Sequence, residues 1–284
     1  MKKIIALLMV AAMSTAVLTA CSGSTEGSSS DADTKTTSGS ASDWSYIENK
    51  GEMVIGVTYF EPMNYKDSNG ELTGFETEFA QAVCKKLGVK ATFQKIDWDS
   101  KEVELNSKTI DCIWNGLTIN DERKTNMGIS TPYMENKQVM VTKKGNEDNY
   151  SGCYSLKGAT VVAEKKSAGE EVAKGDEFFK DASYVPVDSQ AKALLEVKSG
   201  TADVAVIDYV MSIGSLAEGK DYSSLAVVDG KDFAPEQYGV ALRKDDTETL
   251  KKLNSAIDEV AKDGTLKKIA EKYDLDNLLL VGKN

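Results

Sequence analysis

The residues best suited to chemistry lie in the stretch WNGLTINDERK, residues 114–124, and at one acid well downstream, Asp208. Gly116 lets the backbone approach whatever lies beyond it, and Thr118 offers a hydroxyl. Residues 121–124 read as a first helical turn, with Thr118 as its expected cap and unpaired backbone N–H groups that attract anions. Arg123 adds a planar, two-pronged grip for a carboxylate. Asp208 directly follows the apolar run 204–207, a costly place for an acid unless it is paired. A guanidinium on one side and a carboxylate on the other would suit the two charged ends of an α-amino acid. The competing reading pairs Arg123 with Asp121 or Glu122 on a solvated helix and leaves Asp208 as a strand-end cap.

Composition narrows the alternatives. The 284-residue chain contains no histidine, which removes histidine triads, histidine metal sites and imidazole acid–base catalysis together. Its four cysteines, Cys21, Cys84, Cys112 and Cys153, form no CxxC pair, so zinc and thioredoxin-like chemistry lack support, and neither a metal nor another cofactor is expected. Cys84 on a helix pattern and Cys112 in a strand pattern read as small core residues. The net charge of −11 argues against a nucleic-acid partner.

Several elements must position Arg123 and Asp208. Strands are expected at 53–57, 91–96, 110–114, 138–142, 160–163, 204–207 and 237–243, where short apolar runs are bounded by turn residues. Phe75, Phe79, Val83 and Leu87 recur at helical spacing, with Gly88 as a stop. Further helices are expected over 100–107, from Ser167, from Asp188 or Ser189 to Val197, and in two C-terminal stretches separated by Gly264. Strands alternating with helices imply parallel sheets. A weak internal repeat lays ELNSKTIDCIW (104–114) on EVKSGTADVAV (196–206) at a constant offset, and predicts two similar lobes. Both matched strands would deliver their next residues to the carboxyl ends of parallel sheets, where ligands bind in such folds.

The N-terminus has the build of a secretory signal peptide over residues 1–20: Lys2 and Lys3, an apolar run, then small residues. LTAC (18–21) resembles the bacterial lipoprotein cleavage box, which makes Cys21 the expected lipidated residue. Residues 21–43, rich in Ser, Thr, Gly and Asp, read as a flexible tether. Together these place the folded part outside the cytoplasm, held at the cell membrane by its lipid.

Five motifs, GELTGFETEF (70–79), the run 109–124, STPY (130–133), TADVAVID (201–208) and QYGVALRK (237–244), carry a resemblance spanning most of residues 53–273. The chain resembles the polar amino acid-binding proteins of ATP-driven importers, solute-binding protein family 3. That resemblance implies a two-lobed α/β fold of the periplasmic-binding-protein type II. Lobe 1 would comprise 44–140 plus 238–284 and lobe 2 141–237, joined by crossover strands near 138–143 and 232–238. It also implies a monomer that takes an α-amino acid and works with a membrane permease and an ATPase. Position by position, Phe60 and Trp98 match aromatics flanking the ligand, and Asn115, Gly116 and Thr118 match a ligand-facing loop. Arg123 matches the carboxylate-binding arginine, Ser167 and Ala168 match helix-terminal donors, and Asp208 matches the acid for the ammonium. Lys166 and Ala168 depart from the glycine and threonine common there. Thr58 stands where several binders of basic amino acids have aspartate, which favours a polar or uncharged ligand, although Glu61 or Glu164 could replace that acid. Glu164 and Lys165 otherwise read as a solvated charge run. No catalytic residue is expected; the alternatives are a dehydratase for prephenate-like acids on the same scaffold, or an amino acid-sensing lipoprotein.

Overall fold

The computed structural model describes residues 42–152 and 156–282. The expected signal peptide, Cys21, the tether as far as residue 41, and Cys153 lie outside the described residues. The strands are β1 (Glu52–Val57), β2 (Tyr65–Lys66), β3 (Leu72–Thr73), β4 (Lys90–Lys95), β5 (Cys112–Thr118) and β6 (Met127–Ile129). They continue with β7 (Met134–Lys143), β8 (Thr160–Glu164), β9 (Ser183–Val187), β10 (Val204–Asp208), β11 (Leu225–Val227) and β12 (Pro235–Arg243).

The main sheet runs β4-β1-β5-β12-β7-β10-β8-β9. On one side β1 pairs in parallel with β4 and β5; on the other β8 pairs in parallel with β9 and β10, as the strand–helix alternation predicts. Between these halves β7 and β12 lie antiparallel to each other, with residues 134–137 opposite 235–238. Each then parts from the other: β7 continues against β10 and β11, and β12 against β5 and β6. Two crossing strands therefore link two α/β lobes.

The helix Phe75–Leu87 shows how apolar spacing becomes packing. Phe75, Phe79, Ala80 and Val83 are buried together with Leu253, Ile257 and Val260 of the C-terminal helix Thr247–Lys262. Phe79 meets the Trp114 ring edge-on at 5.0 Å and the Tyr133 ring at 5.5 Å. Each such side chain contributes roughly 1.5–3 kcal/mol by leaving water. Cys84 and Cys112 are buried free thiols within this core.

The internal repeat is structural as well as sequential. Ser107 Oγ donates to the Glu104 carbonyl at 3.1 Å and lies 2.8 Å from the Thr109 hydroxyl. Ser199 repeats both contacts with Glu196 and Thr201, at 3.0 and 2.9 Å. Asp111 accepts the Val54 N–H at 2.7 Å, tying β5 to β1. Asp203 accepts the Thr160 N–H at 2.7 Å, tying β10 to β8. In each lobe the matched aspartate satisfies a backbone donor of the strand beside it.

Candidate functional site

All seven residues of β5 are buried, and the strand runs to Thr118, four residues beyond the expected end. Asn115, Gly116 and Thr118 therefore lie on the strand, not on a loop after it. Asn115 Oδ1 accepts the Thr58 N–H at 2.7 Å and an Asn64 amide hydrogen at 3.1 Å, while its own amide donates to the Thr58 hydroxyl at 2.7 Å. The Gly116 N–H donates to Glu76 Oε1 at 2.7 Å. Glu76 also accepts from Asn64 at 2.8 Å and from the Tyr133 hydroxyl. Gly116 holds φ of +53°, and a Cβ there would lie 2.9 Å from the Phe60 ring, so both the backbone and the space call for glycine.

Arg123 sits in the short helix Asp121–Asn126, where Asn120, not Thr118, caps the turn by accepting the Arg123 N–H at 2.8 Å. Thr118 is the last residue of its strand, so its hydroxyl is directed elsewhere, to Glu236 at 3.1 Å. The Arg123 side chain is only 4% exposed. Its Nη1 donates to the Thr118 carbonyl at 2.7 Å and its Nη2 reaches the Lys166 carbonyl of the other lobe at 3.3 Å. Lys101 donates to that same carbonyl at 3.2 Å, and Lys166 Nζ returns a bond to the Asp99 carbonyl at 2.8 Å. Across the sheet, Glu61 and Lys220 pair at 2.6 Å. The lobes thus touch on both flanks.

Ser167 caps the helix Ala168–Gly175 by accepting the Glu170 N–H at 3.1 Å, as expected of a helix opening there. Opposite it, Asp208 ends β10 wrapped in amide donors: Asn136 at 2.8 Å and Gln138 at 2.7 Å to one oxygen, and Gln190 to the other. Glu236 accepts from Asn136 and Gln138 at 3.0 Å each. Glu164, expected on a solvated face, is 4% exposed at the end of β8, because that strand lies inside the sheet between β9 and β10. Lys165 fits the solvated reading better, pairing with Asp188 at 2.6 Å.

Eight of the nine expected ligand-facing residues, Trp98, Asn115, Gly116, Thr118, Arg123, Ser167, Ala168 and Asp208, line one narrow cavity of about 10 Å³. Phe60 does not; it lines a neighbouring interlobe cavity with Tyr59, Tyr65, Met211 and Tyr222, its ring tip against Gly116. Glu164 and Gln190 complete the first cavity; as a site residue Glu164 enters the sequence reading only as an acid that could replace the one missing at Thr58, and Gln190 not at all. Gln190 had a signal in hindsight, as the first residue of a helix capped by Ser189. Asn64, Glu76, Asn136, Gln138 and Glu236 had none, because what defines them is a partner far away in sequence.

Burial pushes the Glu164 carboxyl up to about 8 and those of Glu236 and Glu76 to about 7, with the nearby Asp208 charge adding to each; Asp208 itself is raised by burial. An acid raised in this way binds more protons folded than unfolded between its two pKa values, so stability falls as pH climbs through that interval. Here the interval opens at the ordinary 4.5 and closes near 7 to 8. The ligand-free protein should therefore melt at lower temperature at about pH 8.5 than at about pH 5.5. At ~1.4 kcal/mol per pKa unit the loss is on the order of several kcal/mol. Calorimetric scans across that range check this, and a melting temperature that rises with pH would contradict it.

Comparisons with known proteins show the family. A family model described as bacterial extracellular solute-binding proteins, family 3, matches residues 53–276. The L-cystine-binding protein TcyJ of Escherichia coli is 34% identical over 228 residues, covering 80% of this chain and 84% of that protein. A substrate-binding protein of an ABC uptake transporter from Streptococcus pneumoniae, solved with bound histidine, superposes with a TM-score of 0.76 at 31% identity, covering 85% of this chain and 99% of its own. An ancestral amino acid-binding protein, described as a precursor of cyclohexadienyl dehydratase, gives a TM-score of 0.75 at 33% identity over 82% of this chain and 99% of its own.

Proposed function

The chain belongs to the bacterial extracellular solute-binding proteins of family 3, and from that premise we propose that it captures an α-amino acid between its lobes and delivers it to the permease and ATPase of an ABC importer. One observation carries the reading: Arg123 from lobe 1 and Asp208 from lobe 2 line the same cavity. The ligand's carboxylate meets the Arg123 guanidinium and the N–H groups at Ser167 and Ala168. Its ammonium meets Asp208, with Asn115, Gly116 and Thr118 alongside, while Trp98 flanks the side chain and Phe60 closes the site from behind Gly116. Because each lobe holds half of the charge complement, a bound zwitterion favours the closed arrangement. Lobe 1 takes residues 44–140 and 238–284, lobe 2 residues 141–237. A monomer, lipidated at Cys21, keeps this device outside the cell membrane.

Relatives named for L-cystine binding and solved with histidine support an amino acid as the guest. A melting screen of the protein against single amino acids tests the assignment. At ~1,000 times the dissociation constant the right ligand adds ~4 kcal/mol of stability. A flat response across the whole panel would remove the proposal. The ancestral neighbour keeps a dehydratase in view, and the expected outcome of a prephenate turnover assay is no activity.

A further inference from the structure

Resting on that reading, the identity of the ligand's side chain can be taken further. Glu164 lines the cavity, is 4% exposed, and its Oε1 is fully buried with no hydrogen-bond partner among the described residues. The other charged groups there are engaged. Asp208 accepts from Asn136, Gln138 and Gln190, and Arg123 donates to the Thr118 and Lys166 carbonyls. Lys101, a buried cation that acts on Glu164, is held by the Trp98 and Lys166 carbonyls and lies 4.5 Å from the Trp98 ring centre. Around the cavity itself the side-chain charges are one cation, Arg123, and two acids, Asp208 and Glu164. A zwitterionic backbone answers Arg123, which also faces Glu171 at 3.6 Å, and Asp208, and leaves the buried Glu164 carboxyl still without a donor.

We propose that the ligand is an amino acid with a cationic side chain, whose N–H groups donate to Glu164 while Asp208 holds the α-ammonium. This reverses the expectation of an uncharged guest, which rested on Thr58. The Thr58 hydroxyl accepts from the Asn115 amide and cannot meet a cation as a carboxylate would, so the acid for the side chain comes from the other lobe instead. The charged groups acting on Glu164 are Asp208, Lys101 and Asp99. Burial pushes its carboxyl up to about 8, and a cation placed against it would draw that value back down.

Isothermal titration of the purified protein with L-arginine, L-lysine, L-citrulline and L-glutamine decides the matter, citrulline being nearly isosteric with arginine but uncharged. The expected result is that arginine or lysine binds at least ~10-fold tighter than citrulline or glutamine, a difference of ~1.4 kcal/mol. Glu164→Gln should abolish that preference, costing arginine or lysine at least ~10-fold more affinity than it costs citrulline. Glu164→Leu, which removes every acceptor, reads the same position should the first variant fold poorly. Citrulline or glutamine binding as tightly as the cations, or a cation preference that survives both substitutions, would overturn the inference and leave the amino acid-binding function standing. Failure of every amino acid to bind would overturn both.

Discussion

Replacing Arg123 or Asp208 by alanine should weaken amino acid binding by two orders of magnitude or more. Both side chains are almost wholly buried, at 4% and 6% exposure, and both line the cavity between the lobes. Deleting one member of a buried charge pair costs about 3–5 kcal/mol, because the other charge stays out of water without its partner. At ~1.4 kcal/mol per tenfold, that is a loss of more than 100-fold. Arg123→Lys keeps the charge but not the fork that reaches both the Thr118 and Lys166 carbonyls, so it should recover only part of the affinity. Asp208→Asn removes the buried charge but turns one acceptor into a donor facing the Asn136 and Gln138 amides or the Gln190 amide, so the ligand-free variant should melt below the unchanged protein. Calorimetry on the four variants reads all of this, and unchanged affinity in either alanine variant would take that residue out of the site.

Glu76→Ala should be the most damaging single change to the fold near the cavity. The Glu76 carboxyl accepts from the Gly116 N–H, the Asn64 amide and the Tyr133 hydroxyl, in a position with no solvent exposure. Each buried donor left unpaired costs roughly 1–3 kcal/mol, so three together cost at least ~3 kcal/mol. For a protein of this size the melting temperature should drop by about 6–12 °C or more. Glu76→Gln keeps an acceptor for Gly116 and Tyr133 and loses the one facing Asn64, so its penalty should be the smaller. A thermal scan showing alanine and glutamine equally stable would mean that the carboxyl does not organise β5.

Periodicity alone made much of this architecture legible. The helix Phe75–Leu87, the strands β1, β4, β5, β7, β8, β10 and β12 in outline, and the repeat that relates the lobes follow from apolar spacing, since burial of one face is a local demand on sequence; β2, β3, β6, β9 and β11 do not. The strand leading to Arg123 was read too short for the same reason: Asn115, Gly116 and Thr118 interrupt the apolar run, yet their polar groups are satisfied from Thr58, Glu76 and Glu236. Thr118 and Asn120 are both acceptable caps by type, and only the true end of β5 selects Asn120. Glu164 was misplaced because an acid beside two lysines looks solvated, whereas its burial depends on β9 and β10, which come later in the chain. Polar residues buried by distant elements leave no periodic trace.

The position of β12 between β5 and β7 has a consequence for biosynthesis. Until Pro235–Arg243 is in place, β5 offers an edge with no neighbour on that side, although most of the chain precedes it. An exposed edge of that kind invites pairing with other chains. Premature termination shortly before Pro235 should therefore yield an aggregating product, not a soluble half-protein.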